Sequence, residues 1–559
     1  MTIIRTGGQI LVDHLVSEGV DRIFCVPGES YLAVLDALHD SGIDIVVCRQ
    51  EGGAAMMAEA YGKLTGKPGV CFVTRGPGAT NASAGIHVAQ QDATPMLLFV
   101  GQVERGFIGR EAFQEVDYRA AFSPLAKWAT EIEDTNRIGE VVSRAFHYAR
   151  SGRPGPVVVA LPEDILTEAS QSPAVPPASE AIAWPAPQQI ERLSALLAGS
   201  KRPAAILGGS RWSASAVRHF TNFAENFDLP VAVTSRRQML FSSDHSNFVG
   251  DIGVGPNPAL LELIGKSDLI LLVGDRLSEI PSQSYSLITP NDPRGLVHVF
   301  PDANELGRFY RPTLPIACGP IEFAEAVSEL RPSSEVEWSH ITKDARSAYL
   351  AYSDPTDITI PGQLQMGEVM KFLRERLPAN AIVCNGAGNY TAWVHRFYRF
   401  REFGTQLAPT SGSMGYGVPA AVSAKITNPD RMVIAFAGDG CFLMHGQEFA
   451  TAVQYNASLI VIVVDNSMYG TIRMHQERNY PGRVTGTQLR NPDFAAYART
   501  FGGHGETVRS TSEFAQAFER AVASGIPSIL HCIIDPEAIT PTMTLSQITE
   551  HAKAVKNST

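Results

Sequence analysis

The sequence is poor in charge, has no cluster of basic residues and contains no long apolar run. Charged residues occupy only 18% of its 559 positions, and 46 Lys and Arg against 57 Asp and Glu give a net charge of −11. Because nucleic acids and anionic membranes attract basic surfaces, we expect neither as a partner. No apolar stretch approaches the roughly 18 residues of a membrane span, so we also expect no transmembrane segment.

Cysteine is scarce, and its spacing gives no sign of pairing. The chain has seven cysteines, an odd number, and no Cys-x-x-Cys pair. This pattern argues against a disulfide framework and against a structural zinc site, and it favours reduced thiols. The N-terminus shows no export signal, so we expect a cytoplasmic protein.

The chain is rich in short β-branched runs that alternate with Ala-rich stretches. Near-continuous apolar strands of this kind are typical of parallel sheets with both faces buried. A proline-rich segment at residues 168–189 and a polar stretch between residues 332 and 361 separate three such units. We therefore predict an α/β fold with three Rossmann-like domains and mainly parallel sheets. The predicted domains are residues 1–167, 188–332 and 361–540, with a C-terminal tail at 541–559.

Two polar motifs follow buried strands of the third predicted domain. Gly438-Asp439-Gly440-Cys441 comes directly after one strand, and Asn466 follows a second. In an open parallel sheet, residues just past the strand ends share one ligand crevice. The Asp439 carboxylate, the Asn466 amide oxygen and the backbone carbonyl of Met468 form the oxygen-only set that Mg²⁺ prefers, which phosphate and water would complete. Gly-Asp-Gly alone is also a common strand-to-helix turn, and Asn466 is what favours the metal site.

These motifs resemble those of the thiamine diphosphate (ThDP) enzyme family, which carries a Gly-Asp-Gly motif and a downstream Asn. Residues 49–55 and 74–81 resemble the pyrimidine-binding domain of that family, and residues 112–115 and 152–156 resemble its acetolactate synthase branch. The resemblance implies pyrimidine-binding, central and diphosphate-binding domains in that order. It also implies ThDP and Mg²⁺ as cofactors, and a homodimer or homotetramer with active sites between subunits.

The resemblance further implies roles for individual residues. Glu51 would be the acid that protonates the pyrimidine ring of ThDP, and Phe113 and Gln114 would line the substrate side. Met414 would lie beneath the bend of the cofactor, with the Gly412 carbonyl near its amino group. The other cofactor-binding residues that the resemblance implies are Gly388, Asn389, Tyr390, Gly438, Asp439, Gly440, Cys441, Asn466, Met468, Tyr469 and Gly470.

The implied reaction is ThDP-dependent decarboxylation of a pyruvate-like 2-oxo acid, with transfer of the acyl carbanion to a second carbonyl compound. Three departures from the synthase pattern stand out. Asn389-Tyr390 replaces the usual Gln-His. Glu29 replaces a glycine, and it is either an acid in the pocket, as in simple decarboxylases, or a solvated helix-cap residue. His475 replaces a tryptophan that shapes acceptor choice, or it is a structural or surface histidine.

Several alternatives stay open at this stage. Within the family, the protein is alternatively a non-ligating 2-oxo acid decarboxylase or an acyloin lyase of the benzoylformate decarboxylase or benzaldehyde lyase type. A nucleotide-binding oxidoreductase is disfavoured because no strand-linked GxGxxG motif occurs. A non-catalytic ThDP-binding regulator would be expected to lack Glu51. Gly208-Gly209 and Gly274-Asp275 are weak glycine motifs, so FAD in the central domain is possible but not favoured.

Overall fold

The computed structural model describes residues 4–177 and 179–558 of the chain. Three six-stranded sheets, each wholly parallel, form its framework. This confirms the predicted α/β class with mainly parallel sheets, whereas the predicted domain boundaries remain predictions. Within the described residues, no helix is long and apolar enough to cross a membrane.

The first sheet has the strand order β3-β2-β4-β5-β7-β6. Its central strands β4, β5 and β7 are buried along their whole length, as expected for uninterrupted apolar runs with helices on both faces. A separate antiparallel pair, β1 with β8, links the two ends of this segment. The strands are β1 (Arg5–Thr6), β2 (Arg22–Cys25), β3 (Asp44–Val47), β4 (Gly69–Val73), β5 (Met96–Gln102), β6 (Trp128–Glu131), β7 (Pro156–Pro162) and β8 (Ala169–Ser170), and the helices are α1 (Gly7–Ser17), α2 (Leu32–His39), α3 (Glu51–Thr65), α4 (Gly76–Asp92), α5 (Tyr118–Phe122), α6 (Ile138–Arg150) and α7 (Glu163–Thr167).

The second sheet has the order β11-β10-β9-β12-β13-β14. The chain builds outward from β9 in one direction and then from β12 in the other, so a topological switch point lies between these two neighbouring strands. The strands are β9 (Pro203–Leu207), β10 (Val231–Thr234), β11 (Phe248–Ile252), β12 (Leu269–Val273), β13 (Gly295–Phe300) and β14 (Leu314–Ala317), and the helices are α8 (Pro187–Ala198), α9 (Ala214–Asn226), α10 (Pro258–Gly265), α11 (Pro320–Val327) and α12 (Ser339–Tyr352).

The third sheet has the order β16-β15-β17-β18-β20-β19. Its central neighbours β17 and β18 are parallel, with Gly438 opposite Val464 near their carboxyl ends. The strands are β15 (Ile382–Asn385), β16 (Gln406–Leu407), β17 (Val433–Gly438), β18 (Ile460–Asp465), β19 (His504–Val508) and β20 (Ser528–Ile533), and the helices are α13 (Met366–Arg376), α14 (Thr391–Phe397), α15 (Gly417–Thr427), α16 (Asp439–His445), α17 (Glu448–Gln454), α18 (Gly470–Asn479), α19 (Phe494–Thr500), α20 (Thr511–Ser524) and α21 (Leu545–Ser558).

The helices do not all group with the sheet of their own sequence segment. One compact unit comprises the described residues of Met1–Ala181 together with Pro409–Thr427 and His445–Tyr455. Helix α15 packs against α3 in this unit, and the Ser423 hydroxyl donates a hydrogen bond of 2.8 Å to the Met57 carbonyl. The other unit comprises Ile182–Ala408, Asn428–Met444 and Asn456–Thr559, as far as these are described, and it holds the second and third sheets.

Candidate active site

Asp439 and Asn466 occupy equivalent places after two neighbouring parallel strands. Asp439 directly follows β17 and begins α16, and Asn466 directly follows β18. The Asp439 side chain is only 3% exposed, whereas Asn466 is partly buried. The structure thus brings both residues to the carboxyl edge of one sheet, where ligands of open α/β sheets bind.

A third residue, Asn491, joins this group. Its side-chain amide donates hydrogen bonds to Asp439 Oδ2 at 2.7 Å and to Asp465 Oδ1 at 2.8 Å. The amide oxygen of Asn491 is buried and has no hydrogen-bond partner within the described residues. Asn491 lies in an irregular segment between α18 and α19, and nothing in the local sequence pattern singled it out.

The electrostatics of this group favour a cation. Burial raises the pKa of Asp439 to about 6, and the charge of Asp465 adds to the rise while the Asn491 amide opposes it. Burial also disfavours ionisation of Asp465, but hydrogen bonds from His531 at 2.9 Å, from the Ser467 amide and from Asn491 together outweigh it and lower the pKa of that carboxyl. Two buried carboxylates beside an unpartnered amide oxygen are an unfavourable arrangement unless a cation is bound. These residues therefore fit Mg²⁺.

The segment carrying Met468 is held on both sides. The Tyr469 amide donates to the Thr487 carbonyl at 2.8 Å, and the Leu489 amide donates to the Ser467 carbonyl at 2.9 Å. No group of three His, Cys, Asp or Glu side chains suited to a metal ion occurs within residues 4–177 and 179–558. A cation at Asp439 would therefore depend on amide, carbonyl and ligand oxygens, which is the composition of the predicted set.

Glycine is required where the loops that follow β15, β17 and β18 come together. A Cβ atom on Gly440 would lie 2.6 Å from the Tyr469 ring, and one on Gly438 would lie 3.0 Å from the Tyr390 ring. The Tyr390 hydroxyl accepts a hydrogen bond of 3.0 Å from the Gly386 amide and lies 3.3 Å from the Cys441 sulfur. Tyr390 and Tyr469 therefore pack these loops together from within.

The side chain of Asn389 contacts other parts of the chain around the third sheet. Its amide donates a hydrogen bond of 3.1 Å to the Ile539 carbonyl, and its oxygen accepts one of 2.7 Å from the Thr471 hydroxyl. Asn389 therefore ties the loop after β15 both to α18 and to the segment leading into α21. Gly388, with φ 144°, precedes it. Contacts of residues 388–390 with a cofactor remain predictions.

Glu51 begins helix α3 and is held by a residue of α4. The Asn81 amide donates a hydrogen bond of 3.0 Å to Glu51 Oε2, and a Cβ atom on Gly78 would lie 3.3 Å from Glu51 Oε1. The buried carboxylate of Glu448 accepts hydrogen bonds from the Arg49 and Gln50 amides just before the helix. Asn81 lies within residues 74–81, which resemble a motif of the ThDP family, but its contact with Glu51 was not predicted.

Met414 and Gly412 lie in a segment that is anchored at both ends within the same unit as Glu51. The Thr410 amide donates to Asp92 at 2.8 Å, and the Tyr416 hydroxyl donates to Glu59 at 2.5 Å. Gly412 has φ 68° and is exposed, and Met414 is half-buried. Lys63 binds the carboxylates of both Glu59 and Asp92, so one buried network fixes the segment to helices α3 and α4.

Glu29 and Gln114 lie next to two consecutive residues, Arg75 and Gly76, where the chain passes from β4 into α4. Arg75 donates a hydrogen bond of 2.8 Å to Glu29, whose side chain is 66% exposed. A Cβ atom on the following residue, Gly76, would lie 3.1 Å from the Gln114 carbonyl oxygen. Phe113 beside it is 71% exposed. The structure thus brings Glu29 and Gln114 close to one turn, and it pairs Glu29 with a cation.

His475 is exposed on helix α18. The same helix packs against α21, with Met474 against an apolar cluster of Ile539, Leu545 and Ile548. The position leaves both interpretations of His475 open, because an exposed ring on this helix suits a substrate contact as well as a surface role.

Comparison with known families identifies the class of protein. Residues 5–121 match the N-terminal TPP binding domain of thiamine pyrophosphate enzymes, residues 190–327 match their central domain, and residues 386–532 match their C-terminal TPP binding domain. The chain therefore belongs to the thiamine pyrophosphate enzyme family.

Within that family, the chain is similar to acetolactate synthase large subunits. It is 32% identical to the acetolactate synthase large subunit of Lactococcus lactis subsp. lactis over 89% of this chain and 87% of the relative. The protein of that name from Parasynechococcus marenigrum is 31% identical over 94% of this chain and 87% of its own length. The acetolactate synthase isozyme 2 large subunit of Escherichia coli K12 is 29% identical over 95% of each chain. These matches confirm the resemblance to the acetolactate synthase branch.

Proposed function

We propose that the protein is a ThDP- and Mg²⁺-dependent enzyme that decarboxylates a 2-oxo acid such as pyruvate and transfers the acyl group to a second carbonyl compound. The observation that carries the cofactor assignment is the buried group of Asp439, Asn491 and Asp465 beside Asn466, within a matched TPP binding domain. Similarity to acetolactate synthase large subunits supports the ligation step.

When bound, ThDP supplies a nucleophilic carbon that adds to the 2-oxo acid and stabilises the negative charge left when CO₂ departs. The Asp439 carboxylate, the Asn466 side chain and the Met468 carbonyl would hold Mg²⁺. Glu51 would hold a proton at the pyrimidine ring, in an orientation fixed by Asn81. Met414 and the Gly412 carbonyl would support the cofactor between its two rings.

The same proposal includes a second copy of the chain. The resemblance to ThDP enzymes implies active sites between subunits, so we propose that Glu51 of one copy acts with Asp439 of another in a homodimer or homotetramer. The exposed apolar side chains Leu443, Met444 and Ile472, which flank the Mg²⁺ site on α16 and α18, support such a covering partner.

The second candidate is a decarboxylase or acyloin lyase that does not ligate. The observation that favours it is Glu29, a largely exposed carboxylate that pairs with Arg75 and stands where synthases have glycine. An acid at this position moves protons in simple decarboxylases, and protonation of the reaction intermediate gives an aldehyde instead of an acyloin.

FAD does not fit the switch point of the central sheet. Asp275 Oδ2 accepts hydrogen bonds from the Gly209 amide at 3.0 Å and from the Thr234 hydroxyl at 2.8 Å. The glycine-turn amide that would meet a phosphate is therefore already bound to a carboxylate, whose charge repels phosphate. The proposed cofactors are ThDP and Mg²⁺ alone.

One experiment separates the two candidate reactions. The purified protein is incubated with Mg²⁺, ThDP and a panel of 2-oxo acids, with and without aldehyde acceptors, and the products are identified by mass spectrometry. Acetolactate from pyruvate supports the synthase reaction. Aldehyde alone supports the decarboxylase, and cleavage of an added acyloin supports the lyase. Absence of all three reactions overturns the proposed function.

A further inference from the structure

Four arginine side chains lie near one another where α12 meets the part of the chain that forms the third sheet, and two of them pair with one aspartate. Arg346 lies on α12, Arg374 lies on α13, and Arg399 and Arg401 follow α14. Asp244 lies in the loop before β11. We call these four arginines the arginine cluster. None of its members belongs to the ThDP or Mg²⁺ residues assigned above.

Asp244 pairs with two members of the cluster. Arg399 lies 3.4 Å from Asp244 Oδ1, and Arg401 lies 3.7 Å from Asp244 Oδ2. The Asp244 side chain is 51% exposed, so the centre of the cluster is open to solvent. These distances are long for ion pairs, so Asp244 neutralises the two guanidinium groups only in part.

Backbone carbonyls hold Arg346 and Arg401 in place. Arg346 donates hydrogen bonds to the Ser243 carbonyl at 2.9 Å and to the Phe248 carbonyl at 3.1 Å. Arg401 also donates to the Arg374 carbonyl. A carbonyl orients a guanidinium without neutralising its charge, so these contacts organise the cluster and leave it positive.

The positive charge of the cluster is only partly offset. Burial lowers the pKa of Arg346 and of Arg374, and the nearby charge of Arg399 lowers both further, although Asp354 and Glu375 stabilise charged Arg374. The Nε atom of Arg399 is buried and has no hydrogen-bond partner among the described residues. Repulsion among partly buried guanidinium groups is relieved when an anion binds between them.

We propose that the arginine cluster is a binding site for a multiply charged anion, either a phosphate ester or a polycarboxylate. Arginine suits such ligands because its planar guanidinium donates paired hydrogen bonds to phosphate and carboxylate oxygens. The chain as a whole carries a net charge of −11 and repels anions, so a preorganised cluster of positive charge is needed to bind one.

Calorimetric titration of the holoenzyme, saturated with Mg²⁺ and ThDP, tests this site. Inorganic phosphate and tricarballylate, a tricarboxylate, are the two probes. Arg399→Gln should weaken binding of the preferred probe about tenfold, because one charged contact is lost. Asp244→Asn should strengthen it, because the competing carboxylate is removed. Arg520→Gln, at an exposed arginine paired with Glu506, is the matched control and should leave binding unchanged.

The two variants change affinity in opposite directions, which general loss of structure cannot do. Tighter binding of phosphate identifies a phosphorylated ligand, and tighter binding of tricarballylate identifies a polycarboxylate. The site is refuted if neither probe binds the wild-type protein, or if Arg399→Gln and Asp244→Asn bind as the wild type does. Should Arg399→Gln fail to fold, Arg401→Gln and Asp244→Asn still decide the outcome.

Discussion

The Tyr416 hydroxyl donates a hydrogen bond of 2.5 Å to the carboxylate of Glu59, and both side chains are buried. Glu59 lies on the helix that begins with Glu51, and Tyr416 lies two residues after Met414. The contact therefore couples the segment proposed to support the cofactor to the helix that carries the proposed acid.

We expect Tyr416→Phe to weaken ThDP binding severalfold and to lower the free energy of unfolding by about 1–3 kcal/mol, because Glu59 loses a buried donor. Tyr61→Phe is the matched control, since Tyr61 lies on the same helix and its hydroxyl donates a hydrogen bond of 2.6 Å to Asp21. The control should lose stability without a change in ThDP affinity, measured by calorimetry. Equal ThDP affinity in both variants would contradict the coupling.

Glu51→Gln should leave binding of Mg²⁺ and ThDP largely intact and reduce kcat by roughly 10²-fold or more, the usual contribution of a general acid. Asn81→Ala should cause a smaller loss, because it frees the Glu51 carboxylate without removing it. Steady-state kinetics on the accepted 2-oxo acid give both values. Glu140→Gln, on the exposed face of α6, is the control, and turnover of Glu51→Gln equal to that control would remove Glu51 from the mechanism.

Asp439→Ala should abolish retention of ThDP, because the proposed Mg²⁺ site loses its carboxylate ligand. Asn491→Ala should weaken Mg²⁺ affinity without abolishing it, since Asn491 positions Asp439. The measurement is the fraction of protein that retains ThDP after gel filtration at several Mg²⁺ concentrations. Asp430→Ala, at an exposed aspartate, should retain ThDP as the wild type does. Undiminished retention by Asp439→Ala would refute this Mg²⁺ site.

Asp251 should make stability depend on pH. Burial raises the pKa of this carboxyl to about 7, despite a hydrogen bond from Gln238. Between about pH 4 and 7 the folded state binds more protons than the unfolded state at this group, so its contribution to stability falls as pH rises. Asp251→Asn should remove that trend and exceed the wild type in unfolding free energy by up to about 4 kcal/mol above pH 7. Denaturant unfolding of both proteins at pH 5 and pH 8 measures this difference. An equal pH trend in the two proteins would contradict the role assigned to Asp251.

The purified protein should carry no flavin, because Asp275 occupies the glycine turn of the central sheet. The absorbance spectrum of the protein, and of the supernatant after heat release, checks this. Addition of FAD should also leave activity and thermal midpoint unchanged. Flavin present in stoichiometric amount would show that the Asp275 side chain moves aside.

Features carried by local sequence were predictable, and features made by distant contacts were not. The three parallel sheets follow from apolar runs such as Met96–Gln102, whose burial on both faces is visible in composition alone. The placement of Asp439 and Asn466 at one edge of the third sheet follows from sheet topology, because each comes directly after a parallel strand. Asn491 was missed because an irregular loop has no periodicity to place its side chain.

The side-chain contacts of two further candidate residues could not be predicted either. The Asn389 side chain binds the Thr471 hydroxyl and the Ile539 carbonyl. The pairing of Glu29 with Arg75 depends on two loops that follow different strands. Neither contact has a signature in a single sequence, because each depends on tertiary placement.

The first unit is built from three separate stretches of the chain, and this affects how it folds during synthesis. Glu59 and Tyr416 are 357 positions apart. Helix α15 can cover α3 only after the second sheet and the first two strands of the third sheet have been synthesised. A ribosome-bound chain that ends near residue 181 would therefore expose the buried face of α3, with its charged Lys63 and Glu59, to water. The nascent first sheet is thus expected to need shielding by a chaperone, or slow maturation, until residues 409–455 emerge.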